Sequence, residues 1–250
     1  MDFDGIKSEE RLIDVVLRLI AGAKHVAVGA NSPIPAAAAF LAQRQGGGRP
    51  FVSLQQSPKH NLFTDGGVEL FDAAGQGRID VFFLSGAQID GGGNINLVAI
   101  GDYAHPKARF PGSFGSAYLY FVVPRVILFR TEHSRRTLVH KVDFVSAPGT
   151  SAPNVYRKGG PIALVTPLCH FAFDKAKARF RLASVHPGHT VEEILDNTGF
   201  EFDRPEIVPM TPSPDAATLR LLRETIAPEL STLYPHFAAR VFDRRDGLEK

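Results

Sequence analysis

Between Gly86 and Ser116 the chain concentrates the residue types that can present bare backbone amides to an anion. The stretch runs Gly86-Ala87-Gln88-Ile89-Asp90-Gly91-Gly92-Gly93-Asn94-Ile95-Asn96, then Gly101-Asp102-Tyr103, then Pro111-Gly112-Ser113-Phe114-Gly115-Ser116. Without a Cβ the main chain lets a ligand come close, and successive N–H groups form a concave donor set. Such loops suit oxyanion or phosphate binding. The candidates are Gly91, Gly92, Gly93, Asn94 and Asn96 in one bend, and Gly112, Ser113, Gly115 and Ser116 in the other. Ordinary sheet-edge turns are the competing reading, and the sequence leaves both open. The dinucleotide-binding fingerprint does not apply, because its glycine spacing and strand–loop–helix context are missing.

A second candidate anion site is the turn Gly29 to Pro35, which runs into an alanine-rich segment. A helix start exposes unpaired N–H groups and a partial positive charge; a plain strand–helix connection is the alternative. The nine histidines show no metal-ligand spacing, so no metal site is expected. His186 and His189 flank Pro187-Gly188 and read as turn residues. His133, Arg135, Arg136, His140 and Lys141 form a basic cluster, either a solvated loop or a contact for a phosphate or a partner. No Gly-x-Ser-x-Gly elbow is present, so a serine-hydrolase triad has no support.

Elements that could position these loops follow from periodicity. Leu12, Val15, Val16, Leu19 and Ile20 share one helical face, with Ser8 as N-cap and Gly22 as stop. A strand over His25 to Val28, a turn, and a helix from about Ile34 to Gln45 begin an open, mainly parallel α/β sheet. Further strands are expected at Phe51–Leu54, Ile79–Leu84, Asn94–Ile100, Arg125–Phe129, Lys141–Val145 and Ile162–Val165, as short apolar runs bounded by Gly or Pro. Thr190 with Glu193 forms a capping-box pattern before a helix ending at Gly199, and Ser213-Pro214 opens another carrying Leu219, Leu222 and Ile226. No internal repeat or long linker interrupts residues 1–250, which read as one domain with a flexible tail after about residue 238.

The bulk numbers agree. With 250 residues and 44% hydrophobic content a sizeable core is available. A formal charge of +2, with dispersed basic residues, argues against nucleic acid as the main partner. Cys169 is the sole cysteine, which excludes an internal disulfide. The acidic, polar stretch Met1 to Glu10 does not read as a secretory signal, and no apolar run approaches a membrane span, so a cytoplasmic protein without membrane contact is expected.

Three ordered blocks resemble the beta-type (B-type) subunits of glutaconate-type, class I coenzyme A transferases. They are Gly86–Asp90 with Gly93–Asn96 and Ile100–Tyr103; His105-Pro106-Lys107 with Arg109-Phe110 and Gly112–Gly115; and Arg135-Arg136 with Lys141–Phe144 and Pro148-Gly149. Weaker echoes at Val28-Gly29, at Asp196–Phe200 and in the last helix extend the resemblance over nearly the whole chain. It implies an open α/β fold related to ribose-phosphate isomerases, an A-type (alpha) partner subunit, acyl-CoA as substrate, and no permanently bound cofactor. It also implies a glutamate of the B-type chain that attacks the thioester, passing through an acyl-glutamyl anhydride in a dry site with oxyanion donors. The Gly112–Ser116 turn resembles the family's Gly-Ser-Gly-Gly-Ala segment, with Phe114 replacing its middle glycine.

One departure matters. The glutamate should follow Phe51–Leu54, where this chain reads Gln55-Gln56-Ser57. A neutral amide cannot be the nucleophile, whether the family position is Gln55 or Gln56, and Ser57 has no identifiable activating base. The carboxylate could come from elsewhere in the chain, with Asp65, Glu69, Asp90 and Asp102 as candidates. A second source is the partner, as in the ring-opening CoA hydrolases of steroid breakdown, which the segment Ser184–Thr190 resembles. In the third case the chain is a non-catalytic subunit. Transfer of CoA between an acyl-CoA thioester and a carboxylic acid is the leading expectation, with hydrolysis as the alternative.

Overall fold

The computed structural model describes residues 4–55 and 57–242. Seven strands form the main sheet: β1 (His25–Val28), β2 (Phe51–Leu54), β3 (Val81–Leu84), β4 (Arg125–Phe129), β5 (Pro161–Val165), β6 (Cys169–Asp174) and β7 (Arg179–Val185). Their order is β7-β6-β5-β4-β3-β1-β2. The run from β2 to β5 is parallel, and β6 and β7 continue it antiparallel. A segment from Asp203 to Thr211 lies along β7, taking backbone hydrogen bonds from Leu182 and Val185 and returning them to Phe180 and Val185.

Strand residues alternate between two cores, as a two-residue period requires. Val26, Val28, Val81 and Phe83 face one side. Ala27, Phe82, Leu84 and Val126 face the other. The first core packs α1 (Ser8–Leu19), α2 (Pro33–Gln45) and the C-terminal helices α6 (Ala216–Leu221), α7 (Ala227–Leu233) and α8 (Pro235–Phe242). The second packs α3 (Gly66–Gly75), α4 (Ser116–Val122) and α5 (Val191–Asn197). Ala36 to Ala39 are fully buried, so α2 lies close on the sheet where larger side chains would hold it off.

Several expectations change. The α1 N-cap is Lys7, not Ser8, with the Glu10 carboxylate accepting from the Lys7 N–H at 2.9 Å. No strand forms at Lys141–Val145, where Val142 is buried while Phe144 and Val145 are exposed. Asn94–Ile100 splits into two-residue strands of separate small hairpins, Ile95–Asn96 with Gln88–Ile89 and Ala99–Ile100 with Ala108–Arg109. The last helical region starts after Asp215, whose side chain accepts from the Thr218 N–H at 2.7 Å. Helix α8 buries Val241, past the point where regular packing was expected to end; residues 243–250 lie outside those described.

Candidate functional site

In an open parallel sheet a ligand crevice forms at the C-terminal ends of the strands, where successive connections leave in opposite directions. Here that point lies between β1 and β3: β1 connects through α2 to β2 on one side, and β2 connects through α3 back across to β3. A cavity of about 540 Å³ occupies it. Its lining comes from residues just past β1 (Asn31 to Pro35), the end of β3 (Phe83 to Ser85), the end of β4 (Phe129 to Thr131), Pro167 after β5, the start of α1, and α8. The walls mix apolar side chains with polar ones such as Ser8, Asn31, Ser85 and Thr131, and the charged members are Glu9, Arg130 and Arg240. Glu9 and Arg240 form an ion pair.

The turn into α2 therefore stands at the cavity. As an anion cradle it is poor in donors. Pro33 and Pro35 occupy the first and third helical positions and have no N–H, and the Ala36 N–H is bound to the Ser32 carbonyl at 3.0 Å. The helix offers the cavity a partial positive charge and an apolar surface more than hydrogen bonds.

The two glycine bends do not converge. The first is folded in on itself: Asp90 Oδ1 accepts from the N–H groups of Gly92 and Asn94 and from Asn94 Nδ2, all at 3.1 Å, and the Gly93 N–H donates to the Asp90 carbonyl at 2.9 Å. Gly93 packs against Pro161, Phe173 and Tyr120, and its carbonyl accepts from the Tyr120 hydroxyl at 2.8 Å. Pro161 begins a parallel strand, so this bend belongs to the edge of the sheet opposite the cavity. The Asn96 side-chain amide donates to Gln88 Oε1 at 2.8 Å and to the Ala99 carbonyl at 2.6 Å, and its Oδ1 accepts from the Val98 N–H at 3.0 Å. Asn94 Oδ1 accepts from the Gly149 N–H at 3.1 Å. These donors and acceptors are committed to the fold, and the bend does not line the cavity.

The second bend, Gly112 to Ser116, starts α4 and lies at the other end of that helix from the Gly93 contact. The Ser116 N–H and hydroxyl both donate to the Ser113 carbonyl, at 2.8 and 2.5 Å. Phe114 adopts the left-handed region at φ 47°, is 78% exposed and packs its ring on Phe71 with centroids 5.3 Å apart. None of these residues lines the cavity.

Gln55 sits just past β2, its N–H donating to the Val28 carbonyl at 3.1 Å. It therefore stands at the same end of the sheet as the cavity, beside the end of β1, without lining the cavity. Gln56 lies outside the described residues. Ser57 is buried, with its hydroxyl accepting from the His60 N–H at 3.2 Å, a turn contact. Of the candidate carboxylates, Asp90 is consumed by its loop. Asp102 accepts from the Ala104 and His105 N–H groups at 2.9 Å in an exposed turn. Glu69 accepts from the Asp65 and Thr64 N–H groups, which hold its carboxyl below the usual range. No side-chain hydrogen bond caps α3 from Asp65. Among the described residues Glu9, overlooked in the sequence, is the carboxylate that lines the cavity.

The basic cluster separates as well. His133 turns inward, with Nδ1 2.7 Å from Thr166 Oγ1 and Nε2 2.9 Å from Thr198 Oγ1. Arg135 donates to the Asp196 carbonyl at 2.6 Å, and Arg136 pairs with Glu132 at 2.8 Å. Among the described residues no group of three or more His, Cys, Asp or Glu is placed to hold a metal ion, and no helix is long and apolar enough to cross a membrane.

This geometry predicts that Gly93→Val acts on folding. A Cβ there meets Pro161 Cγ at 2.9 Å and Phe173 Cε2 at 3.2 Å, on a backbone at φ 72° that L side chains rarely adopt. A loss of about 2–4 kcal/mol is expected in denaturant unfolding, from overpacking plus strain. An unchanged unfolding midpoint would show that this packing is absent.

Residues 53–197 match the family model for coenzyme A transferase. The chain is 37% identical over 153 residues to the B-type subunit of 3-oxoadipate CoA-transferase from Pseudomonas knackmussii, covering 59% of this chain and 58% of that protein. It is 31% identical over 164 residues to the cholesterol ring-cleaving hydrolase IpdB subunit of Rhodococcus jostii, covering 64% of each. The matched stretch thus spans less than two thirds of either relative. The fold is similar to the crystal structure of glutaconate coenzyme A-transferase from Acidaminococcus fermentans, with a TM-score of 0.79 and 27% identity over 93% of this chain and 98% of that one.

Proposed function

The chain belongs to the coenzyme A transferase family, and from that premise we propose that it is the B-type subunit of a two-subunit enzyme moving CoA between an acyl-CoA thioester and a carboxylic acid. The observation that carries this reading is the cavity at the strand crossover point, at the end of the sheet where the residue following β2 also stands. Its apolar members, among them Leu12, Ile34, Phe83 and Phe129, suit an acyl chain. CoA is a substrate in this reading, and an A-type subunit completes the site.

Gln55 bears on the chemistry. In the related transferases that the sequence resembles, a glutamate stands here; an uncharged amide neither attacks a thioester carbonyl nor carries the acyl group as an anhydride. Glu9 is tied to Arg240. The reactive carboxylate is therefore assigned to the partner. The same substitution favours a second reading, in which that carboxylate activates water and the acyl-CoA is hydrolysed. The similarity to the IpdB subunit supports it.

One experiment separates the two. The chain is reconstituted with an A-type subunit, and a panel of acyl-CoAs is followed with and without acceptor acids for loss of the donor thioester, formation of the acceptor thioester and appearance of free CoA. Acceptor-dependent conversion of donor thioester into acceptor thioester means transfer; free CoA appearing without acceptor means hydrolysis. Neither conversion, with a well-folded complex, refutes both. Hydroxylamine trapping during turnover should leave Gln55 and Gln56 unlabelled, and Gln55→Ala should stay within about threefold of wild type. A covalent adduct on either residue, or a loss of the roughly 10²–10⁴-fold typical of deleting an acid–base group, would return that position to the chemistry.

A further inference from the structure

Two kinds of element bound the cavity. Most of its lining comes from strand ends and the turns that follow them, while one wall is built by helices, with Leu12 from α1 and Phe237 and Arg240 from α8. Leu12, Ile34 and Phe83 are buried members of the first core, fixed where helices pack on the sheet. Helix α8 is the last described element, and one large apolar side chain makes its share of the wall. Phe237 belongs to the same core at 9% exposure, and its ring also reaches the cavity. The Arg240 guanidinium lies over that ring, 5.6 Å from its centroid, and Phe242 meets it in a T-shaped contact with centroids 6.2 Å apart. Neighbours on its own helix hold the ring in place.

Arg240 also pairs with Glu9 of α1. The Glu9 side chain is 22% exposed and that of Arg240 64%, so the pair stands where the helical wall meets water. A hydrocarbon chain laid along the apolar members meets the Phe237 ring, and past the ring it meets a hydrated ion pair. Methylenes gain from leaving water, by about fourfold in affinity for each one buried. Beside hydrated charges that gain is absent. Moving the ring aside would break its contacts with Arg240 and Phe242, and a close-packed interior resists such shifts. The wall has a fixed position.

We propose that Phe237 is a specificity-determining residue that closes the acyl compartment and sets the length of hydrocarbon it takes. The inference rests on the acyl-CoA reading above and adds the substrate range: acyl chains up to the length at which the terminal methyl abuts the ring. A longer chain must buckle or hold its thioester back from the reacting carboxylate. Phe237 takes no part in bond making; it limits which acyl groups can reach the reacting position.

The test uses the reconstituted complex with butyryl-, hexanoyl-, octanoyl- and decanoyl-CoA. For wild type, kcat/KM should rise with chain length and then fall once the compartment is full. Phe237→Ala should move the maximum to a longer chain and raise the ratio of decanoyl-CoA to butyryl-CoA turnover at least about tenfold, the effect of burying two further methylenes. Phe237→Leu should move the maximum the same way by less, and Phe237→Trp should move it to a shorter chain. The Leu and Trp variants keep an apolar side chain in the core and carry the comparison if truncation to Ala prevents folding. A maximum at the same length in every folded variant, or equal losses on all four acyl-CoAs, would overturn the proposal. Should the folded wild-type complex turn over none of them, the functional reading falls, and calorimetric titration of the complex with the four matching fatty acids then decides on Phe237 separately. The best-bound chain should be longer for Phe237→Leu than for wild type and shorter for Phe237→Trp; identical length profiles, or no binding by wild type, would refute the end wall.

Discussion

Acidification from pH 6.5 to 4 should unfold the protein, through three histidines with ring nitrogens withdrawn from water and held neutral near the β5–β6 turn. Burial pushes His133 and His170 down to about 4 and His186 to about 3. The contacts explain why a proton is unwelcome. His186 Nε2, 3.0 Å from the Thr166 carbonyl, must donate, so Nδ1 accepts from the Thr211 hydroxyl at 2.8 Å. His170 Nε2 is buried with no partner at all. In the unfolded chain all three titrate near 6.5. Below that pH the unfolded state binds more protons, so stability present at neutral pH is lost as pH falls toward the folded values. Each histidine contributes up to about 1.4 kcal/mol per pH unit within its window. Together they approach about 4 kcal/mol per unit, enough to exhaust a typical stability of about 5–15 kcal/mol. Asp14 works the other way, since burial raises its carboxyl and protonation there favours the folded state. Urea unfolding at pH 7.5, 6 and 5 should show midpoints falling steeply, and His170→Phe should flatten that slope by up to one proton. Midpoints level down to pH 4.5 would refute this account.

Asp90→Ala is expected to lower stability sharply without approaching the cavity. Besides the bonds to Gly92 and Asn94, the carboxylate accepts from the Val142 N–H at 3.4 Å, and the residue is buried. Truncation leaves several donors unpaired at about 1–3 kcal/mol for each one fully buried; because Gly92 and Asn94 retain some exposure, a total of about 3 kcal/mol is expected. For a chain of this size that lowers Tm by roughly 6–12 °C. Asp90→Asn keeps one acceptor oxygen and should lose about 1 kcal/mol. The folded fraction of either variant should turn over normally. A fully stable Asp90→Ala protein with impaired acyl-CoA turnover would instead make the glycine loop part of the ligand site.

That contrast shows what was legible in the sequence. The parallel strands β1, β2 and β4 begin and end where apolar runs meet Gly, Pro or turn residues. The antiparallel β6–β7 pair was missed, although alternation was there to be read: Cys169, Phe171 and Phe173 point inward, as do Phe180 and Leu182 across the turn. Its basic intervening residues resemble a solvated loop. For the site, glycine richness did not point to the cavity. Gly149 is required because a Cβ would lie 2.1 Å from the Gly92 carbonyl oxygen, so that glycine serves close packing of one loop on another. The cavity draws on α1, the turn after β1, the ends of β3 and β4, and α8. No local spacing pattern records residues so far apart in the chain. Only the turn into α2 could be marked in advance, because a single short segment supplies it.

The strand-like segment lying along β7 has a consequence for self-association. Its backbone pairing occupies the outer ladder of that strand, so another molecule cannot add a strand there, which is the usual first step of sheet-to-sheet aggregation. At the opposite border β2 presents just four residues, preceded by a proline that lacks an amide hydrogen. Neighbours must therefore recognise this molecule through side chains on its helices and loops, and a sheet shared continuously between two chains is disfavoured.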